Sequence, residues 1–141
     1  MVVGRSETSV RLGVERLQGT NYDVHVGYTT RMTTMADNFA DIAIYPALAD
    51  EDYAQKNGTL NFPPFSQALE YIELDLTPVT ASRNPYPKQF YIQLHTPTNL
   101  ASISRAYNRS VIMIVPDNEV DVWDIVVRQH QQLFNNTNLI R

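Results

Sequence analysis

The chain has 141 residues, 43% of them apolar and 18% charged, with a formal net charge of -4. That is enough chain for one domain with a sizeable core, and it is too apolar for wholesale disorder. Arginine outnumbers lysine nine to two without forming a basic block, which speaks against a nucleic-acid surface; the lack of cysteine excludes disulfides and thiolate zinc sites.

The N-terminal residues Met1 to Arg5 lack the apolar core of a signal peptide. The longest apolar run, Val111-Ile112-Met113-Ile114-Val115, is far shorter than the roughly 20 residues of a membrane span, so no membrane insertion is expected in this segment. The chain reads either as intracellular or as one domain of a longer protein, and the second is the expectation carried forward.

Taken in order, Ser9 to Leu17 alternates apolar and polar positions through Val14, which marks a half-buried strand. Gln18-Gly19-Thr20-Asn21 supplies turn chemistry and Asp23 to Tyr28 resumes the alternation, so the two strands read as a hairpin. Residues 30–51 break this rhythm. Met32, Met35, Phe39 and Ile42 fit one face of a short helix, while Ile42 to Tyr45 suits a strand equally well. After Asp50-Glu51-Asp52 comes a strand from Gly58 to Phe62, stopped by Pro63-Pro64 because proline cannot donate to a ladder.

The clearest strand is Ala68 to Leu76, with Ile72, Leu74 and Leu76 expected inward and Tyr71, Glu73 and Asp75 outward. The proline-rich segment 77–87 cannot be regular for long. Gln89 to Leu94 is a strand with Phe90, Ile92 and Leu94 inside, 96–106 is a loop, and Arg109 to Val115 is the last strand. Short strands separated by turn signals indicate a sandwich. Beyond Pro116, apolar residues recur at helical spacing through Val120, Trp123, Val127 and Phe134, which predicts a C-terminal helix from about Glu119 to Leu133, with Asp117 or Asn118 as N-cap.

The block Asp52-Tyr53, a short spacer, then Gly58-Thr59-Leu60-Asn61-Phe62 resembles the central signature of the Calx-beta module. Tyr28-Thr29-Thr30, Phe90-Tyr91-Ile92-Gln93-Leu94 and Val111 to Asp117 are similar to that family's other strand blocks, and the resemblance runs from about Ser9 to Asn118. It implies an all-β fold, an immunoglobulin-like antiparallel β-sandwich of Calx-beta type followed by a short C-terminal helix. The expected division is a sandwich over residues 1–118 with an insertion at about 30–51, then a helical extension or linker over 119–141.

In calcium-binding members of that family, carboxylates from several loops converge at one end of the sandwich. Ca²⁺ takes about six to eight oxygen ligands, so one carboxylate cannot hold it. Asp52 and Asp117, with Asn118 and Glu119, match acidic positions of the resemblance and are the metal candidates for calcium. The other contributions are absent: Thr77-Pro78-Val79-Thr80 and Asn84 to Gln89 stand where acidic runs are expected, and Lys88 adds charge of the same sign as the ion. No cofactor is required by the sequence, and calcium is the one to test.

His25, His95 and His130 lack metal-site spacing, and no nucleophile elbow or phosphate cradle occurs, so an enzyme is not expected. Sequons stand at Asn57, Asn108 and Asn135, of which Asn57 is the glycosylation candidate. Trp123, Val127 and Phe134 are the interface candidates, since aromatic residues anchor contacts. The resulting expectation is a non-catalytic structural or adhesion module of a larger, extracellular or cell-surface assembly, working through protein neighbours or self-association. The alternatives are a calcium-binding regulatory or adhesive domain, and an unrelated viral or fibre sandwich subunit.

Overall fold

The computed structural model describes residues 1–16, 21–33, 38–39, 42–43, 45–65, 69–77, 87–99, 101–103 and 108–139. The strands are β1 (Val2–Gly4), β2 (Ser9–Glu15), β3 (Val24–Met32), β4 (Asn38–Phe39), β5 (Ile42–Ala43), β6 (Tyr45–Pro46), β7 (Asn57–Phe62), β8 (Leu69–Asp75), β9 (Lys88–His95) and β10 (Arg109–Val115). A 3₁₀ turn over Asp117–Glu119 leads into α1 (Val120–Leu139).

Side-chain alternation sets the strands and their inward faces. In β8, Ile72 and Leu74 are buried, Leu76 is buried just beyond the strand, and Tyr71, Glu73 and Asp75 face solvent. In β9, Phe90 and Ile92 are buried, and Leu94 packs against the core. The main sheet runs β1-β10-β9-β3-β7, with β6 added beside β9, and β2 and β8 form the sheet opposite. Val10 and Leu12 of β2 meet Ile72, Leu74, Phe90, Ile92 and Ile112 in one apolar cluster between the layers. The pairings β1–β10 and β6–β9 are parallel, while β2–β8, β3–β7, β3–β9 and β9–β10 are antiparallel.

The hairpin expected between the first two long strands does not form. β2 pairs with β8, from Ser9↔Asp75 to Glu15↔Leu69, whereas β3 lies in the other sheet between β7 and β9. Alternation marks one buried face per strand and does not say whether two such faces lie side by side or across a core. Residues 16–23 are a longer link than the two-residue turns that favour hairpins, and the chain uses them to change sheets.

Among the described residues of the 30–51 segment, the strand reading holds and the helical one does not. β3 continues to Met32, β4 and β5 pair with each other, and β6 lies parallel to the start of β9. Met35 and Ile44 lie outside the described residues, as do 78–86 of the proline-rich segment.

The unbroken apolar run in β10 follows from burial on both faces. Ile112 and Ile114 point into the sandwich, while Met113 and Val115 form a second cluster with Trp123, against which Val2, Val120 and Val127 pack. That cluster docks α1 on the outer face of the main sheet. The helix is longer than its apolar spacing predicts, reaching Leu139 over 20 residues. Its entry also differs: the 3₁₀ turn starts after Pro116 with no side-chain cap, so neither Asp117 nor Asn118 acts as N-cap. Proline fits here because its missing N–H falls where the first turn has no partner to supply. Among the described residues, no helix is long and apolar enough to cross a membrane.

Trp123 is 8% exposed, so Trp123→Ala is expected to remove about 3–5 kcal/mol of stability. In hydrogen exchange, the α1 amides of this variant should lose protection first. Full retention of protection would mean that the cluster does not hold the helix.

Candidate functional site

Asp52 lies at the end of the sandwich where β9 begins, and backbone pairing from three directions fixes it. The Tyr45 N–H donates to the Pro87 carbonyl (3.0 Å) and the Ala47 N–H to the Gln89 carbonyl (2.8 Å), so β6 delivers the following turn beside Lys88. Within that turn the Asp52 N–H donates to the Leu48 carbonyl (2.9 Å), and the Leu48 N–H returns a bond to Asp52 Oδ2 (2.8 Å). Asp50, between them, has φ of 65°, a left-handed conformation that aspartate tolerates better than most residues. The Thr77 N–H donates to the Asp52 carbonyl (3.0 Å) and ties the turn to the end of β8.

The Asp52 side chain is 7% exposed and faces Lys88, whose side chain is 20% exposed. Lys88 Nζ donates to Asp52 Oδ1 at 3.1 Å and to Oδ2 at 3.2 Å. Both carboxylate oxygens therefore hold an ammonium, and one also holds a backbone N–H. Sequence reading identified Lys88 as unfavourable to a divalent ion but did not pair it with Asp52. The 36-residue separation gives no local signal for the contact, which arises only when β6 aligns with β9.

Tyr53 packs behind this pair, 1% exposed, with its ring stacked on Phe90 at 3.8 Å between centroids and 6° between planes. Burial raises its phenol pKa above the usual 10.0, with Asp50 and Asp52 adding to the shift. A raised folded-state value contributes stability that is complete below about pH 10 and is lost as pH rises through the folded value. In an absorbance titration, Tyr53→Phe should remove a phenol that ionises above the usual value; an unchanged titration curve would contradict the burial.

The remaining calcium candidates are held in other ways. Asp117 Oδ1 accepts the Ser6 N–H at 3.0 Å, closing the first link of the chain onto the end of β10. Gly4 makes this approach feasible, since a Cβ there would collide with the Asp117 carboxylate. Asn118 is exposed, and Glu119 Oε2 accepts a bond from Trp123 Nε1 at 3.3 Å. Among the described residues, no three His, Cys, Asp or Glu side chains are grouped to hold a metal ion. Calcium needs about six to eight oxygens; Asp52, Asp117 and Glu119, committed to an ammonium and to N–H groups, do not fit it.

Of the interface candidates, Trp123 is buried against the chain's own β10 and β1, and Val127, partly exposed, packs on the same cluster. Phe134 belongs to α1, but its side chain lies outside the described residues. Asn57 is exposed at the start of β7, the outer strand of the main sheet. His25 faces outward and bonds through Nε2 to Asp23 Oδ2 at 2.9 Å.

No protein-family model matches the chain. It is 29% identical over 133 residues to adhesion G-protein coupled receptor V1 of Danio rerio; that match covers 94% of this chain and 2% of the receptor. Among solved structures, the apo form of the Calx CBD1 domain has a TM-score of 0.64 at 20% identity, covering 82% of this chain and 88% of that one. The calcium binding domain CBD12 of CALX1.1 has a TM-score of 0.65 at 19% identity, covering 82% of this chain and 40% of that one. The Calx CBD2 domain has a TM-score of 0.61 at 16% identity, with 89% of each chain covered. These likenesses bear out the resemblance at the level of the fold.

Proposed function

We propose that this chain, whose fold is that of the Calx-beta sandwich, is a non-catalytic protein-contact module of a larger, extracellular-facing assembly that needs no calcium for its structure. The observation that carries this reading is the Lys88 ammonium on both oxygens of Asp52. It supplies from within the chain the positive charge that a buried carboxylate requires. Asp117 and Glu119 do related work, tying Ser6 and Trp123 to the end of β10.

The similarity to an adhesion receptor, of which this chain matches 2%, supports placement within a larger surface protein. In that setting Asn57, exposed and at a sheet margin, is the glycan acceptor. The likeness to the calcium binding domain CBD12 of CALX1.1 supports the alternative reading of a calcium-responsive domain. Calorimetric titration with calcium separates the two. No saturable heat is expected from the wild-type chain, and stoichiometric binding abolished by Asp52→Ala would establish the alternative.

A further inference from the structure

Among the described residues, the small sheet has one open margin. The Leu76 N–H donates to the Thr8 carbonyl at 2.9 Å, and the register continues as Ser9↔Asp75 and Val10↔Leu74. In an antiparallel ladder, alternate residues exchange both bonds with the partner strand. Thr8, Val10, Leu12 and Val14 thus bond to β8, leaving Ser9, Arg11, Gly13 and Glu15 with N–H and C=O groups turned the other way. Those groups have no partner among the described residues. A cleft of about 460 Å³, lined in part by Val2, Gly4, Ser9 and Arg11, keeps β1 away from this margin.

The far side of β8 is different, because the Ala54 N–H donates to the Asp75 carbonyl (2.9 Å) and Lys56 Nζ to the Glu73 carbonyl (2.8 Å). The margin of β7, open among the described residues, carries Asn57, Thr59 and Asn61 on its outer face and so offers no charge to specify a partner.

We propose that β2 pairs antiparallel with β2 of a second copy of this chain, about a two-fold axis at Gly13. The segment Arg11-Leu12-Gly13-Val14-Glu15 is self-complementary under that operation. Gly13 faces Gly13, Arg11 faces Glu15 of the second copy, and Leu12 faces its Val14. Within this segment the outward-bonding residues 11, 13 and 15 coincide with positions that exchange bonds in this register. The result is a four-stranded sheet, β8-β2-β2-β8, that continues the apolar inner face and removes two open margins.

The charges are already in place. The Arg11 guanidinium lies 3.6 Å from the Tyr71 ring centroid and 3.9 Å from Glu73, with its side chain 60% exposed, and a guanidinium has donors for a second carboxylate. Glu15 is exposed and has no ion-pair partner among the described residues. At the axis, Gly13 leaves room over which Leu69 leans; a Cβ there would sit 3.1 Å from Leu69 Cδ1.

This pairing rests on the proposed protein-contact function and names a partner for it. Sedimentation equilibrium of the 141-residue chain should show an average mass rising with concentration from 16.1 kDa toward twice that value. Glu15→Lys, on an exposed side chain with no ion-pair partner among the described residues, should weaken association by about tenfold or more, because like charges then face each other twice. Adding Arg11→Glu to that variant reverses both charges and should restore association. A single-chain mass at every concentration, or a dimer indifferent to Glu15→Lys, would overturn the pairing. Calcium titration of the same samples reads the proposed function separately, so one can fail without the other.

Discussion

Replacing Lys88 with alanine is expected to lower the unfolding free energy by about 3–5 kcal/mol, the usual cost of stranding one member of a buried ion pair. Among the described residues, the Asp52 carboxylate, 7% exposed, would keep only the Leu48 N–H as a bond to its oxygens. Unfolding in urea at neutral pH measures this directly. The double variant Asp52→Asn with Lys88→Met should recover much of the loss, since neither member is then left charged and alone. A Lys88→Ala domain as stable as wild type would show that Asp52 does not depend on the ammonium.

Phe90→Ala should be of similar or greater size, about 4–5 kcal/mol when loss of a stacked aromatic partner is added to the cavity. Phe90 is fully buried at the point where β9 leaves Lys88 behind, and its ring lies flat on Tyr53. The change therefore acts on the core and the adjacent Asp52 turn together. Against a total stability of about 5–15 kcal/mol, the variant should be partly unfolded at physiological temperature, visible as lost near-ultraviolet dichroism. A loss below about 1 kcal/mol would contradict the packing of this layer.

The strands of the sandwich were legible because each buries one face. Ile72 and Leu74 alternate with Tyr71, Glu73 and Asp75, and the structure places them as that pattern requires. The block from Asp52 to Phe62 carried the resemblance that the solved Calx domains bear out as a fold. Pairing was less legible, as the missing β2–β3 hairpin shows, because alternation specifies a face and not a neighbour. The apolar run 111–115 held its own clue: a strand apolar at every position needs cover on both sides, and α1 provides it.

The site was half legible. Asp52 and Lys88 were both singled out, one as a ligand and the other as an obstacle, yet their contact depends on a two-residue parallel pairing between β6 and β9. So short a ladder leaves no periodic trace in sequence. Trp123 was read at helical spacing, and its burial came from the same alternation in β10 that exposes Met113 and Val115 to the helix side. Gly4 gave no signal until Asp117 was seen to close over it.

Thermal unfolding of the wild-type chain, in EDTA and in millimolar calcium, decides whether Lys88 has taken the place of the ion. A ligand that binds only the native state at about 100 times its dissociation constant adds about 2.7 kcal/mol, which is several degrees for a domain of this size. Superimposable transitions are the expected result. A transition raised by calcium in the wild type and unmoved in Asp52→Ala would contradict a sandwich end neutralised from within.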